Sequence, residues 1–321
     1  MIWDRVRGVF VASALALSPQ IVAAAECIAP SSPGGGWDFT CRQVGSVMFQ
    51  IGALDAPMRV TNMAGGGGGL AFGHVVKERA EDADLIIAAS RATATRLAQG
   101  AYSNMTADRV RFLGAIAADP NVIVVRADSP YRTLRGLVEA VKRKPREVTF
   151  TGRGPTGGFA HLSVLEVMQA NGVKDLGAVT YTRSGRSFTA LTQLNNGFAS
   201  ALIGGMSELR AALATGRYRA LAVLTSDRVP GFEQIPTAKE QGTDVVAVNW
   251  RGFYVPKDID ETQYAVWAER LRQVAESEAW QRTMAVNGLA PFTVIGVPFE
   301  AWVTQEIEST QALSRALGVL N

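Results

Sequence analysis

Glu26-Cys27-Ile28-Ala29-Pro30-Ser31-Ser32-Pro33-Gly34-Gly35-Gly36-Trp37-Asp38 runs on into a segment whose apolar residues, Val44, Val47, Met48 and Ile51, recur at helical spacing. A short apolar run, a glycine loop and an amphipathic helix, in that order, are the parts of an α/β unit built on a mostly parallel sheet. The pattern returns at Met58 to Asn62, followed by Met63-Ala64-Gly65-Gly66-Gly67-Gly68-Gly69, and at Val148 to Thr151, followed by Gly152-Arg153-Gly154-Pro155-Thr156-Gly157-Gly158. Further strands are predicted at Leu85 to Ala89, Val122 to Val125, Val179 to Tyr181, Ala199 to Ile203, Leu221 to Leu224 and Gly252 to Val255. Helical stripes fall between them, such as Leu134, Leu137, Val138 and Val141, or Tyr264, Trp267, Leu271 and Val274. The chain reads as α/β.

Upstream, Arg5 and Arg7 precede an apolar stretch from Val9 to Leu17 and the small residues Ala23-Ala24-Ala25. The stretch is too short to span a bilayer, and the order matches an export signal over 1–25, with the mature chain starting near Glu26. Cys27 lacks a lipobox before it, so the mature protein is expected to be soluble and unlipidated. Cys27 and Cys41 are the chain's two cysteines. In an exported protein they suggest one disulfide tying the first strand to the first helix, two buried thiols being the alternative. Without the signal the formal charge falls from +3 to +2, with no basic tract, which argues against a nucleic-acid partner.

About 296 residues remain, more than one core usually serves. Two lobes are expected, one from 26–125 with 249–321 and the other from 126–248. The chain would cross between them near Asp128-Ser129-Pro130 and again around Val245 to Trp250. A ligand cleft then lies between the lobes, where strand ends and helix starts converge.

The glycine loops carry the chemistry. Glycine lets backbone N–H groups turn inward, and at a helix N-terminus these make a place for an anion. Any one loop could be only a tight turn; three together suggest a ligand with several anionic groups. The expected contacts are Pro33, Gly35, Gly36, Trp37 and Asp38 from the first loop, Gly65, Gly66, Gly67 and Gly68 from the second, and Arg153, Gly154, Thr156, Gly157 and His161 around the third. Strand ends add Ser90, Thr93, Tyr181, Arg183 and Arg251, hydroxyls and guanidiniums being suited to carboxylate oxygens. Several have structural alternatives. Ser90 and Thr93 could cap a helix, Arg251 could form an ion pair across the hinge, Trp37 could pack the core, and His161 could be structural, as His74 is expected to be.

Gly152, Gly154 and Gly157 also fit G-x-G-x-x-G, with Arg183 placed to meet a 2′-phosphate, so a dinucleotide-binding protein is a minor alternative. No P-loop, metal-ligand cluster, H-E-x-x-H or G-x-S-x-G is present. An exported enzyme using scattered Ser, His and Asp is a further rival.

The order of export signal, Pro33 to Asp38, the Asn62 to Gly69 loop, the Thr151 to Gly154 loop with His161-Leu162 after it, Pro236-Thr237-Ala238-Lys239-Glu240-Gln241-Gly242 and Asn249-Trp250-Arg251-Gly252-Phe253-Tyr254-Val255-Pro256 resembles the tripartite tricarboxylate transporter substrate-binding receptors over essentially the whole mature chain. The resemblance implies a two-lobed Venus-flytrap fold, each lobe a mostly parallel sheet flanked by helices, with no enzymatic activity and no cofactor. It implies a periplasmic monomer that hands a small carboxylate to a large and a small membrane subunit. It further implies that the first two loops and Ser90 hold one carboxylate through main-chain groups and water, while the Gly154 to His161 segment and Tyr181 close over the rest. The chain departs from the family pattern at Ala64, Arg153 and Tyr181-Thr182-Arg183-Ser184. The extra arginines agree with a ligand bearing more than one carboxylate. Cys27, Cys41 and the Trp250 to Phe253 segment resemble the branch associated with citrate-like ligands. The same binding event could instead serve a sensor that reports to a signalling kinase.

Overall fold

The computed structural model describes residues 25–184 and 187–320. The export signal expected at 1–25 therefore falls, apart from Ala25, outside the described residues. The elements run β1 (Glu26–Ala29), α1 (Gly36–Gln50), β2 (Arg59–Asn62), α2 (Gly69–Glu78), β3 (Leu85–Ser90), α3 (Arg91–Ala98), β4 (Val110–Arg126), α4 (Leu134–Arg143), β5 (Phe150–Arg153) and α5 (Phe159–Ala170). They continue with β6 (Tyr181–Ser184), α6 (Ser187–Asn195), β7 (Ala201–Gly205), α7 (Met206–Ala214), β8 (Tyr218–Val223), β9 (Val248–Pro256), α8 (Glu261–Glu276), α9 (Glu278–Asn287), β10 (Val294–Ile295) and α10 (Val297–Ala316).

Two sheets share β4, in the order β2-β1-β3-β9-β4-β7-β5-β6, with β8 and β10 also paired to β4. In the first lobe β1 pairs in parallel with β2 and β3, and β9 runs antiparallel beside β3 and β4. In the second, β5 pairs in parallel with β6 and β7, while β4 runs antiparallel to β7 and β8. Helices cover both faces of each sheet, so strand residues of both parities are buried. On β1 and β3, Cys27, Ala29, Ile86 and Ala88 join the core under α1, α8 and α9. Ile28, Leu85, Ile87 and Ala89 join the opposite core with α2 and α3. This accounts for near-continuous apolar runs in place of alternation.

The longest strand differs from its expectation. Val122 to Val125 is only the end of β4, which begins at Val110. Its first half is rich in Gly114, Ala115, Ala117 and Ala118, small residues with weak strand preference that read as nothing in particular. Pairing changes sheet within β4, since Pro120 is opposite Val248 of β9 and Asn121 is opposite Gly205 of β7. Strand pairing thus changes sheet at Pro120–Asn121, ahead of the Asp128-Ser129-Pro130 segment. Pro120 has no N–H for either ladder, which suits it to the change. On the return, Asn121 donates to Ala247 O, Ala247 donates to Leu224 O, and β9 rejoins the first sheet from Val248. Strand β6 begins where Val179 to Tyr181 was expected to end, which puts Arg183 and Ser184 at a strand terminus. The C-terminal helix also joins the lobes. Phe299 and Val303 of α10 pack in the first, whereas Leu313, Leu317 and Val319 pack on the second.

Cys27 and Cys41 form a disulfide, with Cα atoms 5.7 Å apart, that fastens β1 to α1 around the first glycine loop.

Candidate functional site

Between the lobes lies a cavity of about 550 Å³. It opens at the carboxyl ends of the parallel strands of both sheets, the position where α/β folds bind ligands. Its lining includes Pro30 and Ser31 after β1, Ala64 and Gly67 after β2, Ser90 at the end of β3, Arg153 at the end of β5 with Gly154 after it, Arg183 and Ser184 at the end of β6, and Ile203 to Gly205 of β7.

The glycine loops deliver three helix starts here. The capping residues of α1, α2 and α5 are Gly35, Gly68 and Gly158, and none offers a side chain to its helix. Gly65, Gly66, Gly67 and Gly68 all have positive φ, from 59° to 156°. That run is closed to residues with a β-carbon, and it folds the second loop tightly enough for the Tyr102 hydroxyl to donate to Gly67 O at 2.7 Å. Trp37 lies across the first two loops. Its indole Nε1 donates to Ser90 Oγ at 3.0 Å, and a β-carbon at Gly68 would touch its ring edge at 3.4 Å.

Of the residues anticipated from sequence, Gly36, Trp37, Gly67, Ser90, Arg153, Gly154, Arg183 and Arg251 line the cavity. Pro33, Gly35, Gly65, Gly66, Gly68, Thr156 and Gly157 belong to the same loops without lining it. Of the other four, Asp38, Thr93 and His161 are engaged in holding the loops. Asp38 is buried, and its carboxylate accepts from Gly34 N, Arg42 Nε and Asn62 Nδ2 at 2.9, 3.0 and 2.9 Å. Burial pushes that carboxyl up, but Arg42, the Gly34 N–H and Asn62 outweigh it and hold it below the usual carboxylate range. Thr93 Oγ1 accepts from Ser90 N at 3.2 Å in a capping box at the start of α3. His161 Nδ1 accepts from Gly157 N at 2.9 Å, and its ring lies 4.8 Å from that of Tyr181. Burial lowers the His161 pKa to about 4, so the ring is neutral and tied to the third loop. Among the described residues the buried Tyr181 hydroxyl has no hydrogen-bond partner, and burial pushes its pKa up.

Arg251 and Asp119 make an ion pair at the passage between lobes, with side chains only 4% and 0% exposed. Asp119 also accepts from Ser207 N at 3.0 Å and Ser207 Oγ at 2.6 Å, at the start of α7. Arg153 pairs with Glu208 of α7 at 2.8 Å. It reaches the first lobe as well, since a β-carbon at Gly35 would stand 2.5 Å from its Nη2. The lining residues that escaped the sequence reading include Arg96, Asp119, Asn121 and Glu208. Asp119-Pro120-Asn121 left a signal, a polar break in the apolar run from Leu113 to Val125. Arg96 and Glu208 left none, looking like ordinary helix-surface charges. Among the described residues no group of His, Cys, Asp and Glu could hold a metal ion, and no helix is long and apolar enough to cross a membrane.

Two α/β lobes joined by crossing strands, with a loop-lined cavity between them, are the architecture of solute-binding receptors. The adipate-bound R. palustris protein superposes with a TM-score of 0.81 at 21% identity, covering 92% of this chain and 97% of that one. Malate-bound MatC of Rhodopseudomonas palustris gives 0.76 at 20% identity, covering 90% and 98%. The chain belongs to the tripartite tricarboxylate transporter receptor family, whose profile matches residues 41–319. BugT of Bordetella pertussis is 27% identical over 300 residues, covering 91% of this chain and 89% of that protein. A solute-binding receptor has no reaction to catalyse, so the enzyme and dinucleotide-fold alternatives fall away.

Proposed function

We propose that the protein is exported to the periplasm and captures a small acid with two or three carboxylates, citrate-like acids among them, for the large and small membrane subunits of a tripartite transporter. The observation that carries this reading is the inter-lobe cavity, where three glycine-capped helix starts converge with an excess of guanidinium groups. Backbone N–H groups and helix dipoles favour an anion without committing to its shape. The malate and adipate held by two structural neighbours agree with a carboxylate of this size. The expected lobes, 26–125 with 249–321 and 126–248, are kept, and strand pairing supports drawing their crossings in to Pro120–Asn121 and Ala247–Val248. Ligand on the first lobe would favour closure by the contacts that only the closed form adds.

A thermal-shift screen of the mature protein against citrate, isocitrate, tricarballylate, malate, succinate, adipate, glutamate and NADP tests the proposal. At one hundred times its Kd a ligand adds about 2.7 kcal/mol, a rise of roughly 5–10 °C for a chain of this size. A shift with a di- or tricarboxylate and none with NADP is expected. Silence from every carboxylate would overturn it.

A further inference from the structure

Four guanidinium groups, those of Arg96, Arg153, Arg183 and Arg251, line the cavity with two carboxylates, Asp119 and Glu208. Their pairing is unequal. Arg251 is matched by Asp119, and Arg153 by Glu208. Among the described residues, Arg96 and Arg183 take part in no ion pair. Arg96, in the last turn of α3, spends one N–H on the neutral Gln99 Oε1 at 3.0 Å, and its buried Nε has no partner among the described residues. A buried guanidinium N–H without an acceptor is a costly arrangement for a protein to keep. The stem of Arg96 lies against the second glycine loop, where a β-carbon on Gly67 would stand 3.5 Å from Nε. Arg183, on the opposite lobe, is exposed at the end of β6.

Resting on the carboxylate-receptor reading above, we infer that Arg96 and Arg183 are the charge-reading residues, one on each lobe. The cavity then selects a dianion whose two carboxylates span the cleft, Arg96 taking the end nearest the second glycine loop. Arg153 and Arg251, neutralised in place, act as fixed dipoles and set no charge preference. Among the described residues a third carboxylate meets no uncompensated cation, so a dicarboxylate is held better than the tricarboxylate of the same backbone. Arg96 is also coupled to closure. Gln99, which accepts from it, donates from Nε2 to Gly157 O of the second lobe at 2.6 Å. A ligand that draws in the Arg96 guanidinium therefore acts on a side chain already touching the opposite loop.

The test is calorimetric titration of wild type, Arg96→Gln, Arg183→Gln and Arg153→Gln with succinate, malate, adipate, tricarballylate, citrate and the monomethyl ester of whichever dicarboxylate binds best. Removing a charged hydrogen-bond partner weakens binding roughly 10- to 100-fold. Arg96→Gln and Arg183→Gln are each expected to weaken the dicarboxylate by that factor while changing its monoester less than about threefold, so that the diacid loses its advantage over the ester. Arg153→Gln should alter both ligands in equal proportion. Arg96→Lys, which keeps the charge, should restore part of the diacid preference, an outcome that a role limited to supporting α3 would not produce. Equal loss for diacid and ester in the Arg96 and Arg183 variants, or wild-type preference for tricarballylate over every dicarboxylate, overturns the inference while leaving a carboxylate receptor. Should wild type bind none of these acids, the receptor's carboxylate reading fails and this inference with it. If Arg96→Gln does not fold, Arg183→Gln decides the case, because that side chain is exposed.

Discussion

Asp119→Asn should be among the most damaging single-atom changes available in this protein. The carboxylate is completely buried, and it joins three elements, Arg251 of β9, the start of α7 through Ser207, and β4 on which it stands. Asparagine keeps the shape and can still accept from Ser207. The Arg251 guanidinium, 4% exposed and with an Nε that has no partner among the described residues, loses the counter-charge it has there. Gly36 packs so closely on it that a β-carbon there would overlap the guanidinium, which leaves it little room to rearrange. Stranding one partner of a buried pair costs about 3–5 kcal/mol, equivalent to a fall in Tm of roughly 6–20 °C at this chain length. Urea unfolding of the ligand-free protein, with a double-variant cycle through Arg251→Met, measures it. Because the penalty belongs to the stranded charge, the double variant should recover at least half of the loss. Stability within about 1 kcal/mol of wild type, or a double variant as damaged as the sum of the singles, would refute the reasoning.

Reducing the Cys27–Cys41 bridge, or replacing both residues with Ser, should cost about 3 kcal/mol in urea, the loop-closure contribution for a cross-link of this span. The pH dependence should carry the signature of His161. Its folded pKa of about 4 lies below the ordinary 6.5, so the unfolded chain binds the extra proton between those values and stability falls as pH drops from about 6.5 toward 4. His161→Phe should flatten that interval, and an unchanged slope would assign it to other groups. Arg91 of α3 bonds Glu306 of α10 at 2.7 Å and approaches Glu166 of α5 at 3.5 Å. Arg91→Ala leaves two facing carboxylates beside the contact between lobes, and small-angle scattering of the ligand-free protein should show a larger radius of gyration than wild type.

Much of the fold was legible because α/β units announce themselves locally. Val44, Val47 and Met48 are all buried on α1, and Leu134, Leu137, Val138 and Val141 on α4, as their spacing required. The first half of β4 was not legible, because alanine and glycine carry no period. The change of sheet at Pro120–Asn121 was missed with it, although the polar break there was visible. In the site, each glycine loop could be placed, since strand, loop and helix are contiguous. The fate of individual side chains was another matter. Asp38 and Thr93 stand out in the sequence only as polar residues near a glycine loop and a strand end, whereas in the structure Asp38 accepts from Gly34, Arg42 and Asn62, and Thr93 accepts from Ser90 N.

The sequence by itself determined the α/β class, the three helix starts that favour an anion, and the only pair of cysteines that could be joined, because each depends on residues close together in the chain or on a count. Which arginines still carry an uncompensated charge was decided by tertiary structure alone. Arg251 finds Asp119 across 132 positions, and Arg153 finds Glu208 across 55. Charge compensation depends on distance in space, which sequence spacing does not encode, so only the meeting of the lobes separates the paired Arg153 and Arg251 from Arg96 and Arg183, which take part in no ion pair among the described residues.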